Sequence, residues 1–278
     1  MPANWSRTIH GIGDLHAGGV ELKRVSALLD DAKKLKKPAL HLQIGDATQR
    51  GLPEEDVLAR KWLHRLPARH HTILGNHDVM DDKRTPGQWA QAYGYASPNH
   101  VIDELPFVRI ICVAPDRDGK GAQSGILSDA TLEWMTTQLK SAGRDCWIAC
   151  HWPLKNTVMG NTATHYTSDM GSFYAKPDDK IRTLLAAHPN AKAWLSGHTH
   201  SPIRAPGLVT RAPLAPKRSI LAVNLSAIVF TGNKRHTQDP VRSVYLTHLP
   251  GAIEVRFRDH VKKQWMAVGG KRVITVKV

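Results

Sequence analysis

Short apolar runs alternate along the chain with stretches of helical period. Thr8–Gly13 reads as a strand, and Val20–Lys36 follows it with Leu22, Val25, Leu28, Leu29, Ala32 and Leu35 on one helical face before Pro38. Ala39–Gly45 is the next predicted strand and Glu54–Leu66 the next helix, opening acidic and carrying Val57, Trp62 and Leu63. His71–Leu74 reads as a strand, Thr85–Tyr95 as helical and Phe107–Ala114 as an apolar strand. Ser128 has the character of an N-cap for a helix through Leu139. Cys146–Cys150 and Ala191–Leu195 are two further strands, with a helix predicted over Asp178–His188 between them. After His200 the helical period disappears, and Ile220–Phe230, Ser243–His248 and Ile253–Arg258 read as strands joined by turns. This pattern predicts an α/β layered fold that finishes in a mostly β segment. No linker composition interrupts residues 1–278, so a single domain is expected.

Composition narrows the class. With 278 residues, 41% hydrophobic and 22% charged, the chain is of ordinary globular make-up and able to bury a core. Its longest uncharged apolar stretch, Ile220 to Gly232, is well short of the roughly 18–20 residues of a membrane span. MPANWSRTIHGIGD at the N-terminus has no continuous apolar segment of the secretory kind. Cys112, Cys146 and Cys150 cannot all pair, and each sits in an apolar run. A disulfide scaffold is excluded, and a cytoplasmic setting is expected. The net charge of +14 is uneven. Residues 201–278 hold 14 Lys and Arg against 3 Asp and Glu, a balance of +11 that leaves +3 for the first 200 residues. Such a segment suits an anionic partner, a phosphate ester or nucleic acid, and equally a well-solvated surface.

Candidate chemistry collects at the strand ends. Asp14-Leu15-His16, Gly45-Asp46, Gly75-Asn76-His77-Asp78, His151 and Gly197-His198-Thr199-His200 each follow directly on an apolar strand. In open α/β sheets the carboxyl ends of strands share one edge, where ligands bind. Carboxylate, imidazole and amide oxygen together suit divalent Mn, Fe or Zn, and the absence of thiolates argues against a structural zinc. Asp14 and His16, two apart, face the same way from an extended strand end. Gly45, Gly75 and Gly197 are expected to permit sharp turns.

The order D-x-H, G-D, G-N-H-D, a lone His and G-H-T-H resembles the calcineurin-like metallophosphoesterase superfamily, from Asp14 to His200. The resemblance implies a layered β-sandwich core flanked by helices, with the last strands closing it. It also implies two divalent metal ions, one held by Asp14, His16, Asp46 and His200 and the other by Asp46, Asn76, His151 and His198. His77 would then be the catalytic histidine with Asp78 its neighbour, a bridging hydroxide attacking phosphorus while His77 serves the leaving alkoxide. The sequence departs from the pattern at Gln49. Ser/Thr phosphatases of the superfamily carry G-D-x-x-D-R-G, and this chain has G-D-A-T-Q-R-G, so the aspartate that pairs with the catalytic histidine there is missing.

Beyond those clusters, Arg50 and His165 are candidate substrate contacts, the first by analogy with the phosphatases and the second from its polar loop after His151. Trp152 either lines the cleft or anchors its loop. His10, His41, His64, His70, His71, His100, His188, His236, His248 and His260 read as surface or satisfied core residues. The lack of G-D-x-x-D-R-G and of a cap segment resembles the small phosphodiesterase branch, which acts on small or cyclic nucleotides. The alternatives are a nuclease or nucleic-acid end-processing enzyme using the basic C-terminal third, and a non-catalytic binding protein on the same fold.

Overall fold

Strands buried on both faces need cover on both faces, and this chain supplies it with a second sheet on one side and helices on the other. The computed structural model describes residues 4–80, 84–116, 125–158, 167–169, 171–225, 227–228 and 240–278. In chain order these form β1 (Thr8–Ile12), α1 (Leu22–Ala32), β2 (Leu40–Gln43), α2 (Pro53–Leu63), β3 (His70–Thr72) and α3 (Pro86–Ala92). Next come β4 (His100–Ile102), β5 (Arg109–Val113), α4 (Asp129–Ser141), β6 (Cys146–Cys150), α5 (Asp178–Ala187) and β7 (Ala191–Ser196). The described chain closes with β8 (Val209–Ala215), β9 (Arg218–Asn224), β10 (Arg242–Leu249), β11 (Ala252–Asp259), β12 (Gln264–Met266) and β13 (Ile274–Lys277).

The first sheet runs β12-β11-β10-β1-β2-β3, with β13 also on β11, and the second runs β4-β5-β6-β7-β9-β8. In the first sheet β1, β2 and β3 run parallel, in the second β5, β6, β7 and β9 do, and the remaining strands pair antiparallel. One apolar cluster joins the inner faces, taking Ile9, Leu42 and Val244 from the first sheet and Ile110, Trp147 and Leu195 from the second. A second cluster packs α4 and α5 on the outer face of the second sheet through Met135, Leu139, Ile181 and Leu185. A third seats α1 and α2 on the first sheet through Val25, Leu28, Leu29 and Trp62. Burying one such aliphatic side chain contributes about 1.5–3 kcal/mol. The layering is therefore helix, sheet, sheet, helix, the sandwich that the resemblance implies.

Differences from the predicted elements are local. The first helix ends at Ala32, four residues before Lys36, because its last turn tightens: Lys34 N–H reaches Asp31 O at 3.0 Å and Leu35 N–H reaches Ala32 O at 3.3 Å. The strand expected over Ile220–Phe230 stops at Asn224, as the chain folds back so that Leu225 N–H bonds Ser196 O and Ile228 N–H bonds Asp14 O. Phe230 and His236 lie outside the described residues. Strands β4, β8, β12 and β13 were not expected. The first and third are three residues long, and β8 is an edge strand with Pro213 at its register shift. Ser128 is the N-cap of α4, accepting from Thr131 N at 3.2 Å.

Candidate metal centre

Asp14, Asp46, Asn76 and His77 follow β1, β2 and β3, while His151, His198 and His200 follow β6 and β7. Because both sheets present their parallel strands in the same sense, the seven expected ligands meet over one edge of the sandwich. Asp14, His16, Asp46 and His200 place one ligand atom each within 4.8 Å of one another, and Asp46, His151 and His198 do the same. Asp46 belongs to both groups, and a single oxygen makes the join. Its Oδ2 lies 3.5 Å from His16 Nε2 and 3.1 Å from His151 Nε2. The other oxygen, Oδ1, accepts the His77 backbone N–H at 2.8 Å and is thereby held away. His200 Nε2 sits 3.2 Å from both Asp14 Oδ1 and His16 Nε2.

Holding these groups together strains the backbone. Of the seven non-glycine residues with positive φ among the described residues, four are expected ligands: His16 (49°), Asp46 (52°), His198 (67°) and His200 (45°). Such conformations cost of order 1–3 kcal/mol each and cluster at functional sites. The glycines play two different parts. Gly45, at φ 86°, is the turn residue the sequence suggested. Gly75 and Gly197 are not at positive φ, so it is space and not backbone conformation that asks for glycine in those turns: a Cβ on Gly75 would lie 2.1 Å from Asp46 N, and one on Gly197 2.8 Å from Asp14 Oδ2. They are small so that the two carboxylates can approach.

Hydrogen bonds outside the cluster orient its rings. His151 Nδ1 faces Ile44 O at 2.7 Å, leaving Nε2 for the centre. His198 Nε2 faces Ser172 O at 3.2 Å, and the same carbonyl accepts from Trp152 Nε1 at 3.2 Å. Trp152 therefore anchors its loop. The His198 N–H donates to Asp14 Oδ1 at 3.0 Å. Asn224, which the sequence gave no reason to single out, donates through Nδ2 to Gly197 O at 2.7 Å and Thr199 Oγ1 at 3.2 Å, pinning the turn that carries both terminal histidines. Its signal, a polar residue ending an apolar strand, is too common to be read alone.

The charge pattern suits cations. Burial would raise the Asp46 carboxyl, yet the His151, His16 and His77 imidazoles hold it well below the usual range. Burial would lower His151, but Asp46 and Asp14 raise it to about 9. Burial lowers His16 and His198 to about 3, so both rings are neutral and able to ligate. Asp14 Oδ2 and Asn76 Oδ1 are buried without a hydrogen-bond partner, as oxygens aimed at an ion would be. The donor set of imidazole, carboxylate and amide oxygen fits two divalent ions. A cavity of about 180 Å³ opens onto it, lined by Asp46, Asn76, His77, Ser172, Phe173, His198 and His200.

Two expected residues take other places. The expectation that Asp78 acts beside His77 is corrected by its partners. Asp78 Oδ1 accepts from Thr48 N and Thr48 Oγ1, both at 2.9 Å, and Oδ2 accepts from Gly75 N at 2.9 Å. It ties the β2 and β3 loops together, and burial with the nearby Asp46 pushes its carboxyl up to about 7. The His77 ring is held instead by the Gln49 carbonyl, 2.7 Å from Nδ1. Arg50 does not line the cavity. Its side chain is 70% exposed and points to Glu55 Oε1 at 3.9 Å. His165 lies outside the described residues.

Comparisons with known proteins bear on the family and on the fold. The sequence profile described as calcineurin-like phosphoesterase matches residues 7–202. A probable glycerophosphodiester phosphodiesterase from Arcobacter nitrofigilis is 32% identical over 106 residues, a match spanning 37% of this chain and 37% of that protein. A dimetal phosphatase from Danio rerio shares the fold at a TM-score of 0.63 and 12% identity, covering 99% of both chains. GAP50, the anchor in the inner membrane complex of Plasmodium, does so at 0.54 and 11%, covering 98% of this chain and 88% of that one. With the profile covering most of the chain and the clustered strand ends inside it, the chain belongs to the calcineurin-like phosphoesterase family.

Proposed function

We propose that this protein is a binuclear metal-dependent phosphodiesterase acting on small diesters, small or cyclic nucleotides among them. The observation that carries the reading is Asp46 Oδ2, one carboxylate oxygen within 3.5 Å of His16 Nε2 and 3.1 Å of His151 Nε2. An oxygen so shared suits a bridge between two ions, with Asp14, His16 and His200 on one side and Asn76, His151 and His198 on the other. When bound, two divalent cations, Mn, Fe or Zn, acidify a shared water and neutralise charge on the phosphoryl oxygens.

The chain's own residues do the rest. Asp46 keeps Oδ2 toward the centre because His77 N–H occupies Oδ1. His77 Nδ1–H donates to the Gln49 carbonyl, so the ring gives a proton to a leaving alkoxide from Nε2 in its imidazolium form, which then reverts to the neutral Nδ1–H ring. Phe173 and Ser172 wall the cavity where the organic part of a substrate would lie. A cavity of about 180 Å³ suits a small diester better than a folded phosphoprotein surface. The Arcobacter relative, a probable phosphodiesterase, supports the diesterase preference. Three buried, unpaired cysteines accord with a cytoplasmic setting, and no helix among the described residues is long and apolar enough to cross a membrane. The shared inner core supports one domain over 1–278.

A second reading, a nuclease, is favoured by one observation. Asp259 pairs with Arg242 at the end of the sheet where Gly11 pairs with Val244, so the turn bearing Lys262 and Lys263 stands at the same sheet edge as Asp14. Metal-reconstituted protein offered bis-p-nitrophenyl phosphate, p-nitrophenyl phosphate, cyclic nucleotides and single-stranded DNA separates the readings. The diesterase reading expects the first and third to turn over fastest. Preference for the monoester would overturn it, and preference for DNA would establish the nuclease.

A further inference from the structure

Gln49 departs from the phosphatase pattern, and two of its atoms face two different histidines. Its side-chain Oε1 lies 3.0 Å from His16 Nδ1, and its carbonyl oxygen lies 2.7 Å from His77 Nδ1. The segment is fastened to the His16 loop, since Gln49 N–H donates to Ala17 O and Ala17 N–H to Ala47 O, each at 2.9 Å. An amide oxygen only accepts, so a bond to it requires the proton on His16 Nδ1. The lone pair of the neutral ring then lies on Nε2, the atom that faces Asp46 Oδ2 and His200 Nε2.

The space for this contact is also provided. A Cβ on Gly19 would meet Gln49 Oε1 at 2.3 Å and Cδ at 2.8 Å. Gly19 is not among the residues at positive φ, so its backbone does not demand glycine. What demands it is the amide group packed against it.

We propose that Gln49 is the positioning residue of the Asp14–His16–His200 subsite, its amide oxygen setting the His16 tautomer and ring angle in the space Gly19 leaves. This rests on the binuclear reading. The amide does so without adding a carboxylate to a centre that already holds Asp14 and Asp46, and its main chain orients His77 at the same time. The side-chain and main-chain tasks are separable, because side-chain variants leave the carbonyl in place.

The test is binding of Mn²⁺ to metal-free protein, read from the paramagnetic resonance signal of the free ion. Gln49→Leu should weaken one of two binding events by about 10–100-fold, the usual scale for losing a ligand's outer partner, and leave the other nearly unchanged. Gln49→Glu, whose carboxylate also accepts, should bind at least as tightly as wild type. Gly19→Ala should reproduce the loss alone and add nothing in a Gln49→Ala background, where no amide remains to be displaced. Wild-type affinity in Gln49→Leu, no loss in Gly19→Ala, or failure of Glu to rescue would each overturn the proposal. Should Gln49→Leu fail to fold, the Gly19→Ala cycle decides. Wild type that binds one ion would overturn the binuclear reading instead, and the Gln49 variants would still report on that ion.

Discussion

At the scale of single residues, the centre depends on what each carboxylate oxygen faces. Asp46 is the clearest case, with Oδ1 fixed by the His77 backbone and Oδ2 shared by two imidazoles. Asp46→Ala should therefore abolish the second ion together with turnover. Metal analysis of reconstituted wild type should find about two ions per chain, and a variant keeping full turnover would count against the bridge. His77→Ala is the complementary case. Its backbone N–H still reaches Asp46, so both ions should remain, while turnover of diesters with poor leaving groups should fall about 10²–10⁴-fold. The fall should shrink for p-nitrophenolate, which departs without a proton. Equal losses for good and poor leaving groups would assign His77 to charge stabilisation at phosphorus, and loss of a metal would make it a ligand.

At the scale of elements, the outer edge of the first sheet accounts for five of the fourteen Lys and Arg in residues 201–278. Strands β12 and β13 lie along the outer edge of the first sheet, and Lys262, Lys263, Lys271, Arg272 and Lys277 occur in or beside them. Cations on edge strands oppose edge-to-edge pairing with another chain, a sufficient reason for them without a nucleic acid. The small-diester reading thus expects bis-p-nitrophenyl phosphate turnover to change little as salt rises from about 50 to 200 mM. Turnover of a DNA substrate tracked by many phosphate contacts would fall by orders of magnitude over that range. A steep salt dependence with the small substrate would contradict the assignment.

At the scale of the whole molecule, buried histidines make stability depend on pH. A chain of hydrogen bonds runs through the first sheet from His41 Nδ1 to His10 Nδ1 at 2.7 Å, His10 Nε2 to Ser243 Oγ at 2.7 Å and Ser243 Oγ to His260 Nε2 at 2.6 Å. It ends at Asp31, 2.9 Å from His260 Nδ1 and bound by both Arg258 Nε and Nη2. Burial lowers His41 to about 3 and His100 to about 4. A histidine lowered on folding contributes stability in full above its unfolded value near 6.5, and loses it as pH falls toward the folded value. Stability of the metal-free protein should therefore drop between pH 6.5 and 4, each such group adding up to about 1.4 kcal/mol per pH unit. Urea midpoints across that range measure it. His100→Phe, which can keep the stack on Tyr95 (ring centroids 3.9 Å apart), should flatten the slope, and an unchanged slope would clear His100 of any part.

Strand-helix alternation, the positions of the parallel strands and the placement of Asp14, Asp46, Asn76, His151, His198 and His200 at strand ends are legible in the chain itself. Burial on both faces makes each central strand a continuous apolar run, and the first polar residue after it marks the exit. The strands His100–Ile102, Val209–Ala215, Gln264–Met266 and Ile274–Lys277 were not legible, because edge strands, most of them short, draw their stability from neighbours more than from their own pattern. The roles of Gln49, Asp78, Trp152 and Asn224 were decided only by tertiary structure. Each acts through an atom supplied from a distant part of the chain or from its own main chain, and no residue spacing encodes a carbonyl's direction. Asp78 stands beside His77 in sequence, yet its oxygens face Thr48 and Gly75, while the imidazole is held by a backbone oxygen that any residue at position 49 would possess.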